Sequence, residues 1–164
     1  MEDTALEETI ISRLRASSKT SAGAILSKNA YRSHLSIIDT KQLQVVKHGQ
    51  TSSVLVRVRN LGQDPWLIAS DIDGSRGWTH LGILWFRPDS TYERLAEHRV
   101  ELPRTMLGGD EAEVDIVLNP IGFDGNRLPP GEYEVWIGLV EEFVTWFYEM
   151  GDDFLELHVS IEGS

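Results

Sequence analysis

Residues 130–140, Pro-Gly-Glu-Tyr-Glu-Val-Trp-Ile-Gly-Leu-Val, alternate in polarity at every second position. Tyr133, Val135, Ile137 and Leu139 share one face, and Glu134, Trp136, Gly138 and Val140 share the other. A helix would instead group residues three and four apart, so this is a β-strand with its aliphatic face turned to a core. Pro130 cannot donate to a ladder and Gly131 tolerates the turn, which places the start of the strand there. The next run, Glu-Glu-Phe-Val-Thr-Trp-Phe-Tyr over 141–148, predicts a second strand at 143–150. It is either the return arm of a hairpin or a bulged continuation, because Glu141-Glu142 lacks the Gly or Asn that a tight primed turn prefers.

The same alternation recurs on both sides of this stretch. Val54, Val56 and Val58 oppose Arg57 and Arg59; Val114, Ile116 and Leu118 oppose Glu113 and Asp115; Leu155, Leu157, Val159 and Ile161 oppose Glu156, His158 and Ser160. Further strands are predicted at 34–39, 43–47, 66–70, 80–87 and 97–102. Turn-forming groups separate them: His48-Gly49, Asn60-Leu61-Gly62, Asp73-Gly74, Gly108-Gly109-Asp110, Asp124-Gly125-Asn126 and Pro129-Pro130-Gly131. Short alternating strands with regular punctuation and no helical period between them predict an all-β antiparallel β-sandwich over residues 30–164. Residues 1–29 differ. Leu6, Ile10 and Leu14 recur every fourth residue behind a Thr4/Glu7 capping pair, which predicts an amphipathic helix at 3–17 followed by a Ser- and Ala-rich connector.

Composition narrows the function. The 164 residues include no cysteine, and 15 Lys and Arg stand against 26 Asp and Glu, a net charge of −11. Nothing at residues 131–164 is Lys or Arg, while nine residues there are acidic. Such a balance argues against nucleic acid or an anionic membrane as partner. No run reaches the roughly 18 apolar residues of a membrane span. The acidic N-terminus lacks the basic and apolar regions of an export signal, so the cytoplasm is the expected compartment.

Several segments together resemble a known group of modules. They are Ala30-Tyr31-Arg32, Val54 to Gly62 with Pro65-Trp66, Leu81 to Phe86, Leu102-Pro103 with Gly109-Asp110-Glu111, Pro130 to Tyr133, and Leu139 to Glu142 with Trp146-Phe147. In this order they resemble the immunoglobulin-like accessory sandwiches appended to bacterial glycosyltransferases and methyltransferases of surface-polysaccharide synthesis. More distantly they are similar to the sugar-binding C-terminal sandwich of the ATPase subunit in O-antigen exporters, and to the four-tryptophan domain of autophagy receptors. The resemblance covers about residues 30–162 and implies a non-catalytic module in glycan assembly, with a glycosyltransferase or methyltransferase as its partner. No transferase domain accompanies it in this sequence, so the module either stands alone or belongs to such an enzyme.

Sugar recognition by a sandwich uses a flat aromatic ring against the C–H face of the sugar, with polar groups fixing the hydroxyls. Trp136, beside Glu134 on the polar face of its strand, and Trp78, in a Gly-rich loop, are the candidate platforms. Glu134, Arg76 and Asn126 are the candidate hydroxyl partners. Tryptophan is also highly buried on average, so the same rings serve equally as core, and Trp85 and Trp146 are expected there. Adjacent carboxylates such as Glu141-Glu142 or Asp152-Asp153 point to opposite faces and do not form a glycosidase pair. Asp71-Ile-Asp73-Gly and Asp124-Gly-Asn126 offer oxygen ligands, but Asx turns explain both without calcium. The five histidines lie too far apart in sequence for a local zinc motif, and phosphate-loop, dinucleotide and nucleophile-elbow motifs are missing. The expectation is a binding module without catalytic residues, metal or cofactor. The competing reading is a protein-docking or self-association module that uses a sheet edge or the N-terminal helix.

Overall fold

The computed structural model describes residues 30–38, 43–47, 49–71, 77–89 and 92–163. The predicted helix at 3–17, its connector, and Arg76 lie outside the described residues. Among the described residues nine strands follow one another: β1 (Ser33–Ile37), β2 (Leu43–Val46), β3 (Ser52–Asn60), β4 (Thr79–Phe86), β5 (Arg94–Glu101), β6 (Glu111–Leu118), β7 (Gly131–Glu141), β8 (Thr145–Trp146) and β9 (Leu155–Ile161). They form two sheets, one ordered β1-β3-β6 and the other β2-β9-β7-β4-β5 with β8 paired to the end of β7. Inward residues of both sheets, among them Val56, Val58, Ile116, Ile83, Trp85, Val135 and Val159, join in one hydrophobic core. This is a two-layer β-sandwich.

Burial along β6 follows the sequence pattern residue by residue: Ala112, Val114, Ile116 and Leu118 are buried, and Glu111, Glu113, Asp115 and Val117 are exposed. Within β7, Tyr133, Val135, Ile137 and Leu139 point inward as expected. The Tyr133 hydroxyl donates back to the Pro129 carbonyl at 2.5 Å. A tyrosine at the start of a strand, bonded to the backbone a few residues upstream, is the corner motif of immunoglobulin-like sandwiches.

Three expectations are corrected. Residues 66–70 are not a strand: Trp66 exchanges backbone hydrogen bonds with Met106, and the chain then enters a 3-10 turn at Ala69–Asp71. The strand expected at 143–150 shrinks to β8, because a second 3-10 turn takes over at Phe147–Met150. The ladders are not all antiparallel, since β2 runs parallel to β9. There the chain has left the three-stranded sheet, where β1 pairs with β3, and joined the other.

Asn60 is fully buried, at 0% exposure, where β3 ends. Its Nδ2 donates to the carbonyls of Asp64 at 2.9 Å and Met106 at 3.0 Å, and its Oδ1 accepts from the Gly62 amide at 2.9 Å. One side chain thereby satisfies the loop that leaves β3. Asn60→Ala takes their side-chain partner from the part-buried Asp64 carbonyl and Gly62 amide, and is expected to cost about 2–3 kcal/mol. In thermal unfolding this corresponds to a fall in Tm of roughly 5–10 °C.

Candidate functional site

A sheet with one wet face alternates in burial, and β4 does not: Leu81 through Phe86 are all buried. Leu81, Ile83 and Trp85 belong to the core, so a further layer must cover the other face. Register shows what lies there. Gly82 stands opposite Gly138 of β7 and Arg99 of β5, Leu84 opposite Trp136 and Glu97, and Phe86 opposite Glu134 and Arg94.

The paired glycines leave bare backbone that aromatic rings occupy. A Cβ on Gly82 would come 2.3 Å from the Trp146 ring, and one on Gly138 would come 3.4 Å from Phe154. Trp146 therefore lies against the outer side of the sheet. The expectation that it is a core residue is overturned, because Phe147 takes the inward position beside Tyr31 and Trp66. Trp85 does lie in the core, at 0% exposure.

Two arginines cover Trp146. The Arg99 guanidinium lies 4.8 Å from its ring centroid and that of Arg94 lies 5.6 Å away. Glu97 accepts from both, from Arg94 Nη1 at 3.1 Å and from Arg99 Nη2 at 2.9 Å. Arg99 Nε also reaches Glu142 Oε1 at 2.6 Å, and His80 Nδ1 meets the same oxygen at 3.1 Å. Arg94 Nη2 donates to the Tyr148 hydroxyl at 2.8 Å.

Rings extend from this centre in two directions. Tyr148 stands 6.0 Å from Trp136, which also packs against Phe154 at 4.3 Å, Phe86 at 4.7 Å and Tyr92 at 5.5 Å. Beyond His80, Trp78 forms an edge-to-face pair with Phe143 at 5.4 Å. Phe143 and Tyr92 are 75% and 53% exposed. Both adopt the left-handed backbone, with φ of 62° and 51°, and among the described residues they are the only non-glycines with positive φ. Each costs about 1–2 kcal/mol relative to an ordinary conformation. Two exposed, strained aromatic residues thus flank one face of one sheet.

The structure distributes the sequence candidates unevenly. Trp136 is half-buried and ringed by four aromatic side chains, and its Nε1 is buried without a hydrogen-bond partner among the described residues. Glu134 lies two residues further along the same face. Trp78 sits at the opposite end, about 20 Å away at the rise of an extended strand. Asn126 is exposed in the turn before β7, where its amide donates to Asp124 Oδ1 at 2.9 Å. That bond holds the Asp124 carboxyl below its usual range. Phe143, His80 and Arg99 were not singled out from sequence, and Glu142 entered only as half of a carboxylate pair that was set aside. The available signal was the uninterrupted apolar run of β4, which requires cover on both faces. Among the described residues no three metal-binding side chains converge.

No family model and no curated protein matches this chain. Among solved structures it is similar to β-glucosidase from Listeria innocua in complex with isofagomine, at 15% identity and a TM-score of 0.43, over 80% of this chain and 16% of that one. It is similar to the CARDB domain of the PF1109 protein from Pyrococcus furiosus, at 13% identity and a TM-score of 0.44, over 79% and 95%. It is also similar to Spo0M, the sporulation control protein of Bacillus subtilis, at 14% identity and a TM-score of 0.45, over 81% and 50%. The chain therefore spans a small part of the β-glucosidase and half of Spo0M.

Two outcomes test this layer. Gly82→Ala forces Trp146 off the strand, and is expected to lower stability by about 1–3 kcal/mol and to shift tryptophan emission. Burial raises the Glu149 carboxyl above its usual range, against a backbone hydrogen bond at Trp146 and the nearby Arg94. The folded state then binds more protons between the unfolded and folded pKa values, so stability falls as pH rises through that window. Glu149→Gln is expected to flatten this decline and to raise stability at neutral pH, as read from urea midpoints across about pH 4–7.

Proposed function

We propose that the chain is a non-catalytic binding module, and that its ligand is a glycan or the sugar part of a glycolipid in bacterial surface-polysaccharide assembly. The observation that carries this reading is the Trp78–Phe143 pair. Phe143 stays exposed at positive φ, where glycine would be cheaper, and it stands beside groups able to bond hydroxyls. Strain kept at an exposed aromatic tip suits a ligand contact better than packing. A sugar would lay its C–H face on Phe143 and Trp78 and present its hydroxyls to Glu142, His80 and Arg99. In this reading Trp78 keeps the role expected from sequence, and Phe143 takes the place of Trp136 as the second platform. Both carboxylates here, Glu97 and Glu142, accept from arginine rather than facing each other across a cleft, which suits binding rather than hydrolysis.

A protein-docking role is the second reading, and the open edge of β6, with Val117 exposed, favours it. A glycosyltransferase or methyltransferase is then the partner. Titration calorimetry separates the two. Trp78→Ala and Phe143→Ala are each expected to weaken oligosaccharide binding at least about tenfold. Unchanged heats in both variants, or none for any sugar, would sink the glycan reading. Phe143→Gly is expected to lose binding equally, yet to be more stable than Phe143→Ala by about 1 kcal/mol, since only glycine relieves the left-handed strain.

A further inference from the structure

The charges on the outer face are closed among themselves, and this bears on which sugars it takes. Arg94 spends Nη1 on Glu97 and Nη2 on Tyr148, while Arg99 spends Nη2 on Glu97 and Nε on Glu142. A guanidinium recognises a carboxylate, sulfate or phosphate through a free two-pronged edge. Neither arginine offers one here. Both also lie over the Trp146 ring, so turning toward a ligand would forfeit that contact as well. His80, the other cationic candidate among these residues, already faces Glu142. Around them the same face carries Glu101, Glu134 and Glu156 in register, and the whole chain bears −11. An incoming anion meets repulsion on approach, and among the described residues the cationic groups nearest Phe143, Arg99 and His80, are already paired with carboxylates.

What the face does offer is apolar ring surface at Phe143, Trp78 and Tyr92, with carboxylate lone pairs at Glu97 and Glu142. Carboxylates accept hydrogen bonds from hydroxyls. We propose that this site, resting on the glycan reading above, selects neutral oligosaccharides and rejects those bearing uronic acid, sulfate or phosphate groups. The Arg94–Glu97–Arg99 bridge is the element that sets this specificity. It fixes both guanidinium groups on Trp146 and keeps them from a ligand's anion.

The test compares a neutral malto-oligosaccharide with an oligogalacturonate of equal length, on the full chain, by calorimetry at low and moderate salt. The wild type is expected to bind the neutral sugar at least about tenfold more tightly, with little dependence on salt. Glu97→Gln, checked for folding by its thermal transition, is expected to raise affinity for the oligogalacturonate several-fold in a salt-sensitive way. Glu142→Gln, which loosens Arg99 and His80 and leaves Arg94 paired, is a second variant with the same direction. An oligogalacturonate that binds the wild type as tightly as the neutral sugar overturns the selectivity and leaves the glycan reading standing. Oligogalacturonate binding that neither variant improves overturns the role of the bridge. Absence of binding by both sugars overturns the glycan reading, and the selectivity with it.

Discussion

Trp146 rests on the bare backbone of Gly82, and the outer half of the molecule is arranged around that seat. A side chain at position 82 would lift the ring and take from Arg94 and Arg99 the surface they cover. Because Gly82 faces Gly138 across the ladder, the gap is two strands wide, and Phe154 fills its other side. Rings placed on glycine backbone give the sheet a second apolar layer, thinner than the core and open at its margins. The core itself is conventional: aliphatic residues from both sheets close around Trp66, Trp85, Tyr31 and Phe147.

The two layers differ in what holds them. In the core, area removed from water dominates, and its buried polar side chains are few; Asn60 is bonded at each polar atom. The outer layer mixes ring contacts with charge-assisted hydrogen bonds, and the Arg99–Glu142 pair ties β5 to the β7–β8 turn. Exposed ion pairs contribute little singly, but here they also orient planar groups over a ring. The layer's energetic value is modest, and its value as a fixed surface is larger.

Much of the fold was legible because β3, β6 and β9 each keep one wet face, and a period of two then reports both strand and orientation. Legibility failed where a segment serves two layers. The run from Phe143 to Tyr148 is aromatic and β-branched throughout, so it reads as a long strand, yet Trp146 turns outward, Phe147 turns inward, and a 3-10 turn begins there. Trp66-Leu67-Ile68 reads as a strand because its residue types favour one, but Trp66 is held by a single pairing with Met106. The candidate site was partly legible. Trp78 was singled out by its type and its Gly-rich surroundings. Phe143 was not, because positive φ at a phenylalanine contradicts local preference, and only the pairing of β8 with β7 imposes it.

The change of sheet between β1 and β2 has a consequence for force. β2 lies parallel to β9, Leu43 beside His158 and Val46 beside Ile161, and the Glu162 amide adds a bond to Val46. Tension carried along the chain into β2 and out through β9 pulls these neighbours in opposite directions along their common axis. The bonds between them are loaded together in shear, whereas a hairpin such as β7–β8 opens one bond at a time. The β2–β9 ladder is thus the part of this sheet that meets tension along its own axis as a unit.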